Sequence, residues 1–169
     1  MTSDERPIFL VGFMGSGKTT LGAGLARALG WDLVETDDLV ERREGRSIEA
    51  IFSESGEGHF REAEWEVLRS LDGRSRCVVA TGGGMFAEAR QRRWMKRRGR
   101  TVWLDVPPKV CTQRVGSGSG RPLWMAGDAI AFRAFFERRR AAYALSEVRA
   151  AGLPDDPEAA VSRLVALLR

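Results

Sequence analysis

The sequence predicts an α/β fold, a mostly parallel sheet between helical layers. Three observations predict it. Short apolar runs alternate with longer segments of helical periodicity along the whole chain, the pattern of successive βαβ units. The first apolar run, Ile8–Val11, leads directly into Gly12-Phe13-Met14-Gly15-Ser16-Gly17-Lys18-Thr19, the spacing G-x-x-x-x-G-K-T between a strand and a helix. The strand ends also carry the chemically distinctive residues: this loop, then Glu35, Asp37 and Asp38, then Gly82-Gly83-Gly84. In open parallel sheets ligands bind beyond the carboxyl ends of the strands, so these distant residues are expected to converge on one cleft.

Each element follows from local signals. Ile8–Val11 is the first strand and Lys18–Leu29 the first helix, ended by Gly30. Asp32–Thr36 reads as a short second strand and Asp38–Glu44 as a helix stopped by Gly45. Ser47 caps a short helix over Ile48–Phe52, with Ser53 and Gly56 marking a turn beyond it. Glu57–Leu71 is a longer helix whose Phe60, Val67, Leu68 and Leu71 share a buried face. Cys77–Ala80 is a buried strand, Ala87–Arg97 a helix and Thr101–Val106 a strand. Pro107-Pro108 opens a helix through about Val115. Gly116-Ser117-Gly118-Ser119-Gly120 reads as a mobile loop, because such backbone is costly to order. Asp128 caps the next helix, through about Tyr143, and Val148–Ala150 is a last short strand. After the turn Gly152–Pro157, an amphipathic helix over Glu158–Leu168 closes the chain.

A length of 169 residues suits one domain, 1–169, with a substantial core. No apolar run approaches the roughly 20 residues that span a bilayer, and the polar N-terminus lacks the layout of a signal peptide. Cys77 and Cys111 form no disulfide framework, and the single histidine, His59, excludes any site needing two. A reducing cytoplasm is the expected location. Net charge is +4 but unevenly spread: residues 35–66 hold eleven acids and four arginines, residues 88–100 seven basic residues and one acid. The run from Arg90 to Arg98 reads as a solvated helix face, with cations favoured near the helix C-terminus, since no nucleic-acid module surrounds it. His59 is expected on a helix surface, and Trp31, Trp65, Trp94, Trp103 and Trp124 in core or lid packing.

The glycine-rich loop needs its residue types. Glycines let successive backbone N–H groups surround a phosphate, and the following helix adds its positive end. Gly15, Ser16, Gly17, Lys18, Thr19 and Thr20 are therefore candidate nucleotide ligands, with Lys18 reaching the outer phosphates and Thr19 ligating Mg²⁺. A carboxylate after the second strand can accept a hydroxyl proton during phosphoryl transfer, which marks Asp37 and less so Asp38; either could instead cap the helix, worth about 1 kcal/mol. Glu35 can reach Mg²⁺ directly or through water. Gly82, Gly83 and Gly84 imply a surface that something approaches closely. Arg61 either pairs with Glu62, Glu64 or Glu66 on the helix surface or serves the site. Arg121, just after the glycine-serine loop, can swing over a transferring phosphate. Of Arg138, Arg139 and Arg140, most are expected in solvent. Together the arginines suggest an anionic acceptor, because guanidinium grips carboxylate through two parallel hydrogen bonds.

In order along nearly the whole chain, these residues resemble shikimate kinase. The resemblance rests on Gly12–Thr20, Thr36-Asp37 with Val40-Glu41, Gly45-Arg46-Ser47-Ile48, Ile51-Phe52, Gly56-Glu57, Phe60-Arg61, the triplet Gly82-Gly83-Gly84, Arg121-Pro122-Leu123, and Arg139 four residues before Tyr143. It implies a P-loop kinase fold with a five-stranded parallel sheet in order 2-3-1-4-5, a substrate-binding segment near 37–61 and a lid near 116–127. It implies ATP- and Mg²⁺-dependent phosphorylation of the 3-hydroxyl of shikimate in aromatic amino-acid biosynthesis, by a monomer with no nucleic-acid or membrane partner. By the same resemblance, Asp37, Arg61, Gly83 and Arg139 hold shikimate, the two arginines on its carboxylate. Lys18 and Arg121 then stabilise the transferring phosphoryl group, and Arg114 lies against adenine. This sequence departs from the family at Glu35, where aspartate is usual, at Ala141-Ala142 and Leu145, and near Pro154-Asp155. The competing readings are a related kinase for another small polyol or acid such as gluconate, a catalytically silent nucleotide-binding relative, and a nucleic-acid-binding ATPase.

Overall fold

The computed structural model describes residues 4–115 and 129–169. Its elements run β1 (Ile8–Val11), α1 (Lys18–Leu29), β2 (Asp32–Glu35), α2 (Thr36–Glu44), α3 (Ile48–Ser70), β3 (Cys77–Ala80), a single 3₁₀ turn at Met85–Ala87, α4 (Ala89–Arg98), β4 (Arg100–Asp105), α5 (Pro108–Val115), α6 (Ala129–Tyr143), β5 (Val148–Ala151) and α7 (Pro157–Leu167). The strands form one five-stranded sheet in the order β2-β3-β1-β4-β5, every pair parallel. This is the expected α/β architecture and the expected strand order.

Strand periodicity explains the two layers. Successive side chains leave a strand on opposite faces, and both faces here must be apolar because helices cover both. Ile8 and Leu10 of β1 accordingly join Leu25, Val78, Val102, Leu104 and Leu164 in one core cluster, with residues of α1 and α7. Phe9 and Val11 join Val79, Met85, Phe86, Met95 and Trp103 in the other, with residues of α3, α4 and α6. A third cluster of Val40, Ile51, Phe60, Ala63 and Val67 fastens α2 to α3. The inner strands β1 and β3 are buried throughout, whereas β2 and β5 are partly exposed at the edges.

Several boundaries shift by one or two residues, and one of these shifts bears on the site. Thr36 starts α2 instead of ending β2. Its hydroxyl donates to the Ala80 carbonyl at 3.4 Å and accepts the Gly82 N–H at 2.9 Å, tying the first turn of α2 to the end of β3. The two helices expected over Ile48–Phe52 and Glu57–Leu71 are both present within α3, the first longer than expected, with the backbone broken between them at Gly56 (φ 81°, ψ 172°) as the turn signal implied. The Phe52 and Phe60 rings, 4.7 Å apart, pack across that break and keep the halves together. Ser47 caps α3 as expected, accepting from the Ala50 N–H at 3.2 Å. The glycine-serine loop at 116–120, Arg121, Trp124 and the capping Asp128 lie outside the described residues.

The basic helix α4 is an exposed face with several local partners. Arg90 pairs with Glu62 at 2.6 Å and lies 4.5 Å above the Trp65 ring; Arg98 pairs with Asp72 at 3.0 Å. Among the described residues, no helix is long and apolar enough to cross a membrane. Cys77 and Cys111 are both free and buried.

Candidate active site

The phosphate loop connects β1 to α1. At Gly15 (φ 77°) a Cβ atom would lie 2.6 Å from the Cys111 carbonyl oxygen and 2.8 Å from a Val115 methyl. Only glycine lets α5 pack this closely on the loop. The Lys18 ammonium folds across the loop, donating to the carbonyls of Gly12 at 2.8 Å and Phe13 at 2.9 Å. Ser16 is buried and its hydroxyl has no hydrogen-bond partner among the described residues. The Thr19 hydroxyl donates to Glu35 Oε2 at 3.2 Å, bringing two oxygens of the kind hard cations prefer to the same spot. Arg114 reaches over from α5 to the Gly15 carbonyl at 3.3 Å.

A hollow of about 160 Å³ lies here, lined by Gly15, Lys18, Thr19, Glu35, Asp37 and Gly83 among others. A second, of about 300 Å³, lies beside the loop against Thr20, Val106, Arg114, Leu153 and Pro154. These residues fit a nucleotide. The loop has a glycine-built bend, a lysine laid along it and an orphaned buried hydroxyl, with a partly apolar slot alongside.

The other side of the hollow is made of long side chains. Asp37 is half-buried in the first turn of α2, whereas Asp38 is exposed. Neither caps that helix, whose N-cap residue is Glu35 without a side-chain capping bond. A Cβ at Gly82 would lie 2.8 Å from Asp37 Oδ1 and 2.9 Å from Glu64 Oε1. A Cβ at Gly84 would run into both terminal nitrogens of Arg61 and come within 2.7 Å of Arg139 Nη1. Two guanidiniums from different helices therefore rest against one glycine. Gly83, between them, abuts the phosphate loop, its missing Cβ being 3.5 Å from the Met14 nitrogen. Asp37, Arg61, Gly82, Gly83, Gly84 and Arg139 thus meet beside Lys18. Arg138 and Arg140 are exposed. Arg121, the remaining arginine singled out from the sequence, is not among the described residues.

Sequence reasoning placed Glu64 with the surface partners of Arg61, but its side chain is only 1 % exposed. It accepts from Arg61 Nη1 at 2.6 Å, while Arg61 Nη2 donates to the exposed Glu57 at 3.2 Å. Burial pushes the Glu64 carboxyl up to about 7; the Arg61 charge works against that rise and the Asp37 charge adds to it. Burial also disfavours the Arg61 charge, and its Glu64 and Glu57 partners more than restore it. The signal was present in the spacing. Glu64 falls on the stripe Phe60, Val67, Leu68, Leu71, so its side chain had to enter the core.

The shikimate kinase family profile matches residues 14–169. A shikimate kinase of Persephonella marina is 37% identical over 97% of this chain and 99% of its own length. One from Bacillus cereus is 42% identical over 82% of this chain and 83% of its own. Among solved structures, a shikimate kinase from Acinetobacter baumannii in complex with shikimate superposes with a TM-score of 0.91 at 32% identity, covering 97% of this chain and 93% of that one. With the phosphate loop, the glycine wall and the paired guanidiniums in one place, and relatives matching along nearly the full length, this chain belongs to the shikimate kinase family.

Proposed function

We propose that this protein transfers the γ-phosphoryl group of ATP to the 3-hydroxyl of shikimate, giving shikimate 3-phosphate and ADP, a step of aromatic amino-acid biosynthesis. The observation that carries the reading is the meeting of Arg61 and Arg139 on Gly84 next to Asp37 and Lys18. Two guanidiniums suit the acceptor carboxylate. With that group anchored, the ring hydroxyl lies toward Asp37, which accepts its hydrogen bond and takes its proton as the oxygen attacks the γ-phosphorus and the bond to the β–γ bridging oxygen breaks. Lys18 and Arg121 neutralise charge on the phosphoryl group in flight, and Arg114 borders the base in the 300 Å³ slot. Gly15, Ser16, Gly17, Thr19 and Thr20 hold the polyphosphate, and Gly82, Gly83 and Gly84 wall the acceptor side. Thr19 and Glu35 would hold Mg²⁺, which when bound supplies charge neutralisation across the phosphates; glutamate, one methylene longer than the family's usual aspartate, still reaches the Thr19 hydroxyl.

The chain acts as one domain, with an acceptor segment near 37–61 and a lid near 116–127, and works as a cytoplasmic monomer on small molecules, independent of nucleic acid or membrane. The test is ADP release by the purified protein with ATP and Mg²⁺ across a panel of acceptors. Turnover with shikimate is expected; turnover with gluconate but not shikimate would refute the assignment.

A further inference from the structure

A run of three glycines has no side chains to hold it in place, so neighbours must fix its peptides. Gly82 donates to the Thr36 hydroxyl of α2 and its carbonyl accepts from Met85, and the Gly84 carbonyl accepts from Ala87. The Gly83 carbonyl accepts from a second distant side chain, the Tyr143 hydroxyl at the C-terminal end of α6. Tyr143 is 2% exposed, its ring 6.2 Å from that of Trp103. Burial raises its phenol well above the ordinary tyrosine range, against the charge of Arg139, a hydrogen bond from that guanidinium and the charge of Arg61, so it stays a donor at any working pH. One helical turn before it on α6 stands Arg139, whose guanidinium rests on Gly84 and stacks 4.7 Å over Phe135. One helix end therefore delivers both a guanidinium to the acceptor pocket and a hydrogen bond to its wall.

We propose that Tyr143 is a positioning residue for the acceptor. Through its bond to the Gly83 carbonyl it sets the register of α6 against the glycine wall, and with it the spacing between Arg139, Gly84 and Arg61. Without that bond the Gly83–Gly84 peptide is free to rotate, and the two guanidiniums no longer present their N–H groups at the separation a carboxylate needs. The effect falls on acceptor binding. Lys18 and the phosphate loop make no use of the phenol.

This inference rests on the proposed reaction, and the experiment separates the two. Wild-type turnover with ATP and shikimate is measured first; its absence would remove the reading of function itself. With turnover established, Y143F is expected to raise the KM for shikimate and its calorimetric Kd by about tenfold, the cost of one buried acceptor left unpaired. The KM for ATP should stay within about twofold, with kcat at saturating shikimate nearly unchanged. Unchanged shikimate affinity would overturn the proposal, as would equal losses in shikimate affinity, ATP affinity and kcat. Two replacements keep the test decisive if Y143F is poorly stable. 4-Aminophenylalanine at position 143 retains a donor and should restore shikimate affinity. 4-Fluorophenylalanine fills the space without donating and should not; equal affinities for the two would also overturn the proposal.

Discussion

On the proposed reading, the phosphate side of the hollow comes from eight consecutive residues, Gly12–Thr19, whereas its acceptor side draws Asp37, Arg61, Gly82–Gly84 and Arg139 from separate elements. The first works through main-chain geometry, with a glycine where α5 presses on the loop and Lys18 laid back on two carbonyls. The second works through long charged side chains held by packing, with a buried carboxylate behind one guanidinium and a backbone wall in front of both. Every phosphate offers the same oxygens, so one compact loop can serve any nucleoside triphosphate. An acceptor is recognised by the separation of its carboxylate and hydroxyl, and only residues spread across the fold can span that distance.

Substitutions on the two sides should therefore fail differently. The largest effect is expected from Lys18→Ala, which removes a preorganised positive charge from the transferring group: kcat should fall about a thousandfold, with little change in shikimate binding by calorimetry. Asp37→Asn keeps shape and hydrogen bonding but loses the proton acceptor, so kcat should fall about a hundredfold or more while ATP binding persists. Normal kcat in that variant would dismiss Asp37 as the base. Gly84→Ala puts a methyl group where Arg61 and Arg139 now lie. The KM for shikimate should rise more than about tenfold and that for ATP should barely move. A parallel rise in both would erase the distinction between the two sides.

The smallest effect concerns stability. Because Glu64 is held near 7, above its ordinary carboxyl value, the folded state binds a proton that the unfolded chain releases near pH 4.5. Its contribution is complete below about pH 4.5 and disappears as pH rises through about 7. Urea unfolding should show stability declining across that window, by up to about 3 kcal/mol from this group, and Glu64→Gln should flatten the decline. An identical pH slope in both proteins would mean the carboxyl is not buried as described.

The same division governs what could be read from the amino acids alone. A contiguous loop between a strand and a helix is visible as a string, and the alternation of apolar runs with helical segments was enough for a parallel sheet. Asp37 stood out by its place just after the second strand, whereas Arg61 and Arg139 stood out only in combination, since each arginine is individually an ordinary helix residue. Glu64 was misjudged because a charged residue is assumed to face water, although its place on the stripe from Phe60 to Leu71 argued otherwise. Ser53 and Gly56 marked the break between two helical stretches, whereas local signals could not register the Phe52–Phe60 contact bridging it. Tyr143 could not be assigned a task, since its partner is a main-chain carbonyl sixty positions away.

That interruption at Gly56 separates two jobs within one rod. Residues 57–70 carry Arg61 and Glu64, reach the sheet's apolar layer through Leu68 and meet α2 through Phe60, Ala63 and Val67, whereas the stretch from 48 to 55 packs on the α2 cluster through Ile51. A designer wishing to broaden the range of accepted ring compounds would thus exchange the outer portion, grafting new contours onto a joint that already tolerates a change of direction, and leave the carboxylate anchor undisturbed.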